Sequence, residues 1–565
     1  MTSILKNNKW LLIIFAAFVF TRFLGLGQIY HQDEYRWASI ANPFFEELGS
    51  PHPPLPEYLY KFAGKFFGFD NLRVVPLFFS FLNLILIYFV SLKISRNNRP
   101  IRNLTGESRP KGAEKIALTA VGLFAVNIYS LIANLQIDID GAILPFFILL
   151  GAYAYFNILE TPRSKKWLAV LTLAVIGGFF TKLSYLLFVA AIIADQGLRF
   201  YYERGSGLKN IFNRLWPWIF GFLGVAALFY YFYVSNFERI ITYAKNFNSL
   251  NFTSRAYFDL LFKIFKSFVW WSPLLALPII YGFFKKELLR KYQFWFVYLL
   301  FNFIFYLVLF DFSTLTVERY FMFLIVPSIL IGAEAIYGLS GGNSVPKKRY
   351  IFAFAGFILL LLGVLFLPHD VIPLNPKEAY VDRIKSLDFR FLIPFTGGSG
   401  PSGFYFSSLF IMLSWLISII ALLYCCIVKK YREIALVIFV VIGLGYNILF
   451  SGEYLYGSLY GSVDKIAKET IEYANSSDSV EHIITYNDIG AYYLRLSGKY
   501  YSRFYTASKR DYSPKIESYR GQYIIVDFPA IDKDGRYWPL IARCPILKKF
   551  QDKKIESYIF DCSKI

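Results

Sequence analysis

WLLIIFAAFVFTRFLGLGQIYHQDEYRW, residues 10–37, decides how the rest of the chain is read. Residues 10–27 are an apolar run of the length that crosses a bilayer, since roughly 30 Å of hydrocarbon takes about 20 helical residues at about 1.5 Å each. Lys6 and Lys9 precede it, but no small-residue cleavage site follows, so it reads as an uncleaved anchor and not as a signal peptide. It gives way at once to an acid pair, Asp33-Glu34. A membrane span with carboxylates at its mouth is the pattern to follow outward.

The same kind of block recurs. Further spans are predicted near 73–92, 116–134, 141–159, 168–180, 183–198, 215–234, 258–282, 293–311, 320–339, 350–367, 404–428 and 434–451, about thirteen in all. Composition agrees. Of 565 residues 56% are hydrophobic and only 17% charged, against roughly 25% charged in soluble domains. Four cysteines exclude a disulfide scaffold or a zinc-ribbon module. No internal repeat or low-complexity stretch is present.

The net charge of +20 reports sidedness and not nucleic-acid binding. With the N-terminus inside, the cytoplasmic connections hold the basic runs at 93–115, 163–166, 199–214, 285–291, 347–349 and 429–432, whereas 28–72 has three Lys/Arg against six Asp/Glu. That is the positive-inside pattern. An odd span count puts 452–565 outside the cell membrane. Its composition is soluble, with a helix over 462–475, strands over 481–486 and 522–528, and a hairpin over 545–562: a small α/β domain beside a membrane domain of residues 1–451. In that hairpin Cys544 and Cys562 face each other, close enough for a disulfide in an oxidising compartment. Cys425 and Cys426, at the cytoplasmic end of a span, stay reduced.

Polar residues in a membrane protein are costly, so charges gathered on one face need a reason. Asp33 and Glu34 sit at the membrane surface, where a carboxylate is both desolvated and reachable. SPHPPLPEYLYKFAGKFFG, residues 50–68, begins with an extended proline run and continues as an interfacial amphipathic helix, with Leu55, Leu59, Phe62 and Phe66 on one side and Glu57, Lys61 and Lys65 on the other. QIDIDGA, residues 136–141 with the alanine after it, makes a tight acidic turn. Asp138 and Asp140 there suit hydroxyl binding, and the turn also permits a divalent metal without requiring one. A polar turn is the plainer meaning of the same residues. Lys182 in FFTKLSY joins two hydrophobic blocks of only about 13–16 residues, or roughly 20–24 Å of helix, so its ammonium lies near headgroup depth. Snorkelling accounts for such a lysine; so does a lipid phosphate. Arg73, Arg319 and Tyr320 lie at the outer ends of their spans and add to it. The chemistry that uses carboxylates beside shallow cations is glycosyl transfer from a lipid phosphate. Phosphate leaves without a general acid if cations stabilise its charge, and one carboxylate serves as base for the acceptor hydroxyl.

DE after the first span, HPPL at 52–55, LRVVP at 72–76, DID at 138–140 and TK at 181–182 resemble, in that order, the GT-C glycosyltransferases, most nearly the protein O-mannosyltransferases and the lipid A aminoarabinose transferases. The resemblance covers residues 10–340. It implies a polyprenyl-phosphate-linked sugar donor and inverting transfer. Asp33 is then the catalytic base, Glu34 orients acceptor or donor, His52 of HPPL lies among the substrate-binding residues, and Arg73 and Lys182 hold the phosphate. The 235–257 loop is too short for the β-trefoil repeats of eukaryotic protein O-mannosyltransferases, and the WWDYG signature of oligosaccharyltransferases is missing: Trp270-Trp271 run into Ser272-Pro273. The acceptor is left open between lipid, glycan and protein. A polytopic transporter or a flippase for lipid-linked glycans is the competing class. It predicts charges near the midplane and symmetry-related broken helices.

Overall fold

The structure is a computed structural model that describes residues 9–31, 33–45, 52–96, 110–162, 164–204, 257–309, 320–341, 346–372, 377–395, 403–478, 480, 482–486, 489–504, 520–525 and 538–564, with Gly224 and Ala227. Among them seven helices are long and apolar enough to cross a membrane: Val74–Arg96, Ile143–Glu160, Leu183–Tyr201, Phe321–Ser340, Lys348–Leu365, Ser408–Ile427 and Arg432–Tyr456. Gly112–Val126 and Ile128–Leu135, bent by 65°, make an eighth if taken as one span. The block at 215–234 lies outside the described residues. Each of the others coincides with a helix or a broken pair, so this is a mainly helical, polytopic membrane protein.

The differences from the sequence pattern are at helix ends, and each has a local cause. The single block at 258–282 is two helices, Tyr257–Trp271 and Pro273–Phe283. Between them Ser272 takes a left-handed φ of 67°, and the following proline cannot continue the first ladder. The block at 404–428 opens on a short strand, Tyr405–Ser407, paired antiparallel with Leu392–Pro394. Only one of the helices flanking Lys182 is short: Lys165–Thr181 has 17 residues, but the helix after it, Leu186–Arg204, has 19.

Helix Leu55–Phe67 turns two residues of its expected apolar face, Phe62 and Phe66, away from the bundle. Pro56, Tyr60, Ala63 and Gly64 are buried. Tyr58, Phe62 and Phe66 point outward at helical spacing, the last two rings 4.5 Å apart. Tyr60 is the better residue to bury because its hydroxyl finds a partner inside.

The last long helix runs to Tyr456 and stops at Gly457, whose φ is +58°. The Glu453 carboxylate accepts the backbone N–H groups of Leu459 and Tyr460 at 2.6 and 2.9 Å, fixing the turn away from the helix. Beyond it lies the α/β unit. Helix Val463–Ser476 packs on a sheet whose strands run in the order Tyr500–Phe504, Ile483–Tyr486, Gln522–Ile525, Ile555–Asp561, Ile546–Asp552. The first three are parallel; the last two are the C-terminal hairpin, of which Ile555–Asp561 pairs antiparallel with Gln522–Ile525. Cys544 and Cys562 flank that hairpin and are joined by a disulfide with Cα atoms 4.9 Å apart. Cys425 and Cys426 are free thiols.

Candidate active site

One end of the bundle gathers the loop 28–31, helix Asp33–Ala41, helix Leu55–Phe67, the turn 136–142 and the α/β unit. Two buried ion pairs organise it. The first is Glu34 with Arg73, both fully buried, at 2.6 Å. The other Glu34 oxygen accepts the Ile137 N–H at 3.0 Å. The Arg73 guanidinium also donates to the Leu135 and Ile29 carbonyls, at 3.0 and 3.1 Å, and to the Gln28 carbonyl, and it lies 5.0 Å from the Tyr30 ring. Burial pushes the Glu34 carboxyl up to about 7; the Arg73 charge and the N–H groups of Ile137 and His31 pull the other way. This pair ties the loop after the first helix to the acidic turn.

The second pair is Lys182 with Asp140, the ammonium 2.6 and 2.7 Å from the two carboxylate oxygens. Lys182 is extended backbone between Thr181 and the 3-10 turn Leu183–Tyr185, so its side chain issues from a helix break. The Tyr320 ring lies 5.3 Å from the same ammonium. Lys182 and Arg73, both expected at the donor phosphate, each face a carboxylate here, Asp140 and Glu34. Arg73 directs its donors at Glu34 and three carbonyls, which makes it a brace for the acidic turn.

Asp138 is buried beside Gln136, whose amide donates to its carboxylate at 3.4 Å, and the Tyr60 hydroxyl donates to its carbonyl at 2.9 Å. Gly141 lets the turn fold back on the preceding half-helix: a Cβ there would lie 2.3 Å from the Ala133 carbonyl oxygen. His52 stacks on Trp37 with ring centroids 5.9 Å apart, and Trp37 lies 5.5 Å from Tyr60. This puts HPPL and the acid-pair helix in one aromatic wall beside the DID turn. Asp33 opens helix Asp33–Ala41, but its side chain lies outside the described residues, as does Arg319. Tyr30, Trp37 and Tyr60 were not singled out from the sequence. Nothing in their local pattern separates them from other aromatics of a chain that is 20% aromatic.

Among the described residues no group of three or more His, Cys, Asp or Glu side chains gathers to hold a metal ion. Both oxygens of Asp140 face Lys182. That donor set does not fit the divalent metal the turn permitted, and no step is derived through one.

Bent and broken membrane helices, an acidic turn, a lysine at a helix break and a terminal α/β unit together make a polytopic membrane protein. The solved structure of ArnT from Cupriavidus metallidurans in the apo state shows the same architecture, with a TM-score of 0.51 over 98% of this chain and 97% of that one, at 13% identity. ArnT bound to undecaprenyl phosphate matches over the same shares at 12% identity and a TM-score of 0.46. No family model and no curated protein sequence matches this chain. The likeness is one of fold, so the chemistry must come from the site.

Proposed function

We propose that the protein is an integral-membrane glycosyltransferase that moves a sugar from a polyprenyl-phosphate donor to a hydroxyl acceptor, with inversion, on the face carrying the acidic turn. The observation that carries this is the Lys182–Asp140 pair at a helix break, with Tyr320 alongside. The ammonium is held ready by a carboxylate at one end of a membrane bundle, where a lipid phosphate can take that carboxylate's place. The fold shared with ArnT supports the same class.

In the proposed reaction Asp33 accepts the proton of the acceptor hydroxyl as its oxygen attacks the anomeric carbon. The new C–O bond forms opposite the breaking one, and the bond's electron pair leaves with the polyprenyl phosphate. Lys182 stabilises that charge as it develops, which is where electrostatic help counts most. Asp138 and the Trp37–His52–Tyr60 wall line the substrate side. Glu34 and Arg73 hold the loops in register and do not touch the phosphate. The basic connections support an N-terminus in the cytoplasm and residues 452–565 outside the plasma membrane; the proposed site is then on the outer face, with the bilayer supplying the donor. The acceptor is a lipid, a glycan or a protein.

A transporter or flippase draws on one observation, the two helix breaks at Asn127 and Ser272, which meet inside the bundle. The Asn127, Asn447 and Ser272 groups there are neutral and bonded to one another, and Arg22 beside them donates to the Phe124 and Ala125 carbonyls, unlike the ion sites such breaks form in transporters. The discriminating experiment is to incubate purified protein with a panel of polyprenyl-phosphate sugars and a membrane extract. Release of polyprenyl phosphate with sugar appearing on an acceptor is the expected result. Intact donor across the whole panel would contradict the proposal.

A further inference from the structure

The α/β unit reaches the site at Asp464, whose carboxylate accepts the Ile29 N–H at 2.7 Å, and by the short helix Ala491–Leu496. Tyr492 on it is fully buried, in the core formed by Tyr30, Trp37, Ala38, Phe45 and Ile137. Its ring lies 5.3 Å from Tyr30 and 5.6 Å from Phe45, and its hydroxyl accepts from the Asn42 amide at 2.9 Å. Next to it, Tyr493 lies 5.8 Å from Tyr30, and Arg495 sits over Phe45 at 5.2 Å and donates to the Tyr35 hydroxyl.

Asn42 directly follows helix Asp33–Ala41, and its N–H donates to the Ala38 carbonyl at 3.0 Å. That helix has nine residues, below the length at which helices hold their shape in isolation. Its place is therefore set by what grips it. At the Asp33 end the grip is Glu34 on Arg73; at the far end it is Asn42 on Tyr492. Tyr30 joins the two, with its ring against both Arg73 and Tyr492.

We infer that Tyr492 is a positioning residue for sugar transfer: from the α/β unit it fixes helix Asp33–Ala41 and with it the place of the base at its first residue. This rests on the function proposed above. A displacement of about 1 Å at a reacting group can cost on the order of 100-fold in rate, so a grip on a short helix is enough to govern turnover.

The test uses the full-length protein with Tyr492→Ala and Tyr492→Phe. It reads hydrogen–deuterium exchange over residues 33–41, donor affinity, and turnover per donor-binding site. Tyr492→Ala is expected to exchange faster over 33–41, bind donor normally and lose roughly 10- to 100-fold in kcat. Tyr492→Phe keeps the ring and is expected to recover most of that loss. Unchanged exchange in Tyr492→Ala would overturn the inference; so would faster exchange with normal kcat. If Tyr492→Ala does not fold, Tyr492→Leu, which fills much of the same space without the ring or the hydroxyl, carries the same two readouts. A wild-type protein inactive on every donor would defeat the proposed function, while exchange would still decide whether Tyr492 grips the helix.

Discussion

At Arg73 one planar guanidinium serves four oxygens: three carbonyls and the Glu34 carboxylate. A lysine carries the charge but not the fork. Arg73→Lys is therefore expected to behave like loss of a buried partner, about 3–5 kcal/mol, seen as a lower unfolding temperature in detergent. Stability equal to wild type would show that the brace is not needed. Lys182 calls for a different experiment, because removing it alone strands the Asp140 carboxylate. Lys182→Met is expected to weaken both donor binding and stability. Adding Asp140→Asn should restore stability but not affinity, a loss of roughly 10- to 100-fold if one charge-assisted contact of about 1.5–3 kcal/mol is missing. Donor affinity that returns with stability would reduce Lys182 to a structural lysine. At this scale the sequence named Asp140, Lys182 and Tyr320, which the structure brings together, and it did not pair Arg73 with Glu34. That pair depends on the loop 28–31 folding back over the start of the Val74–Arg96 helix, and linear spacing does not carry that.

At the scale of elements the helix breaks do the positioning. Asn127 stops one helix and caps the next, its side chain accepting the Ser130 N–H at 3.0 Å. The Asn447 oxygen accepts from the Ile128 N–H at 3.0 Å and from the Asn127 amide at 3.1 Å, and its own amide donates to the Ser272 hydroxyl at 3.1 Å. On the carbonyl side of the break Arg22, buried in the first helix, donates to Ala125 at 2.5 Å and Phe124 at 3.4 Å. A cation there also meets the negative end of the helix. Backbone groups freed inside a membrane protein need such partners. Asn447→Ala strands the Ile128 N–H and is expected to cost about 1–3 kcal/mol for that unsatisfied group, read by thermal unfolding. An unchanged midpoint would mean that the joint does not hold the half-helix that leads into the acidic turn. The Ser272-Pro273 break was visible as a dipeptide inside an apolar block, yet hydropathy counts that block as one span. Asn127 has no proline or glycine beside it to mark a bend.

On the scale of the whole molecule, the architecture was largely legible and the docking was not. Hydrophobic blocks and the change of composition near the end of the last span separate a helical membrane protein from an α/β unit. The hairpin expected over 545–562 faces Cys544 with Cys562, which are joined at a Cα separation of 4.9 Å. The alternation within residues 457–565 describes only that unit's own core, so the insertion of Tyr492 beside the acid-pair helix needed three dimensions. The same holds for Lys554, which donates to the His369 carbonyl at 2.9 Å and ties the unit to the 366–407 connection. The proposed transfer depends on Asp33 as its base, and Asp33→Asn tests it most directly. The amide keeps the shape of the carboxylate but cannot take the acceptor's proton. In the donor panel, this variant is predicted to bind polyprenyl-phosphate sugar as wild type does while releasing polyprenyl phosphate about 10²- to 10⁴-fold more slowly; release at the wild-type rate would contradict it.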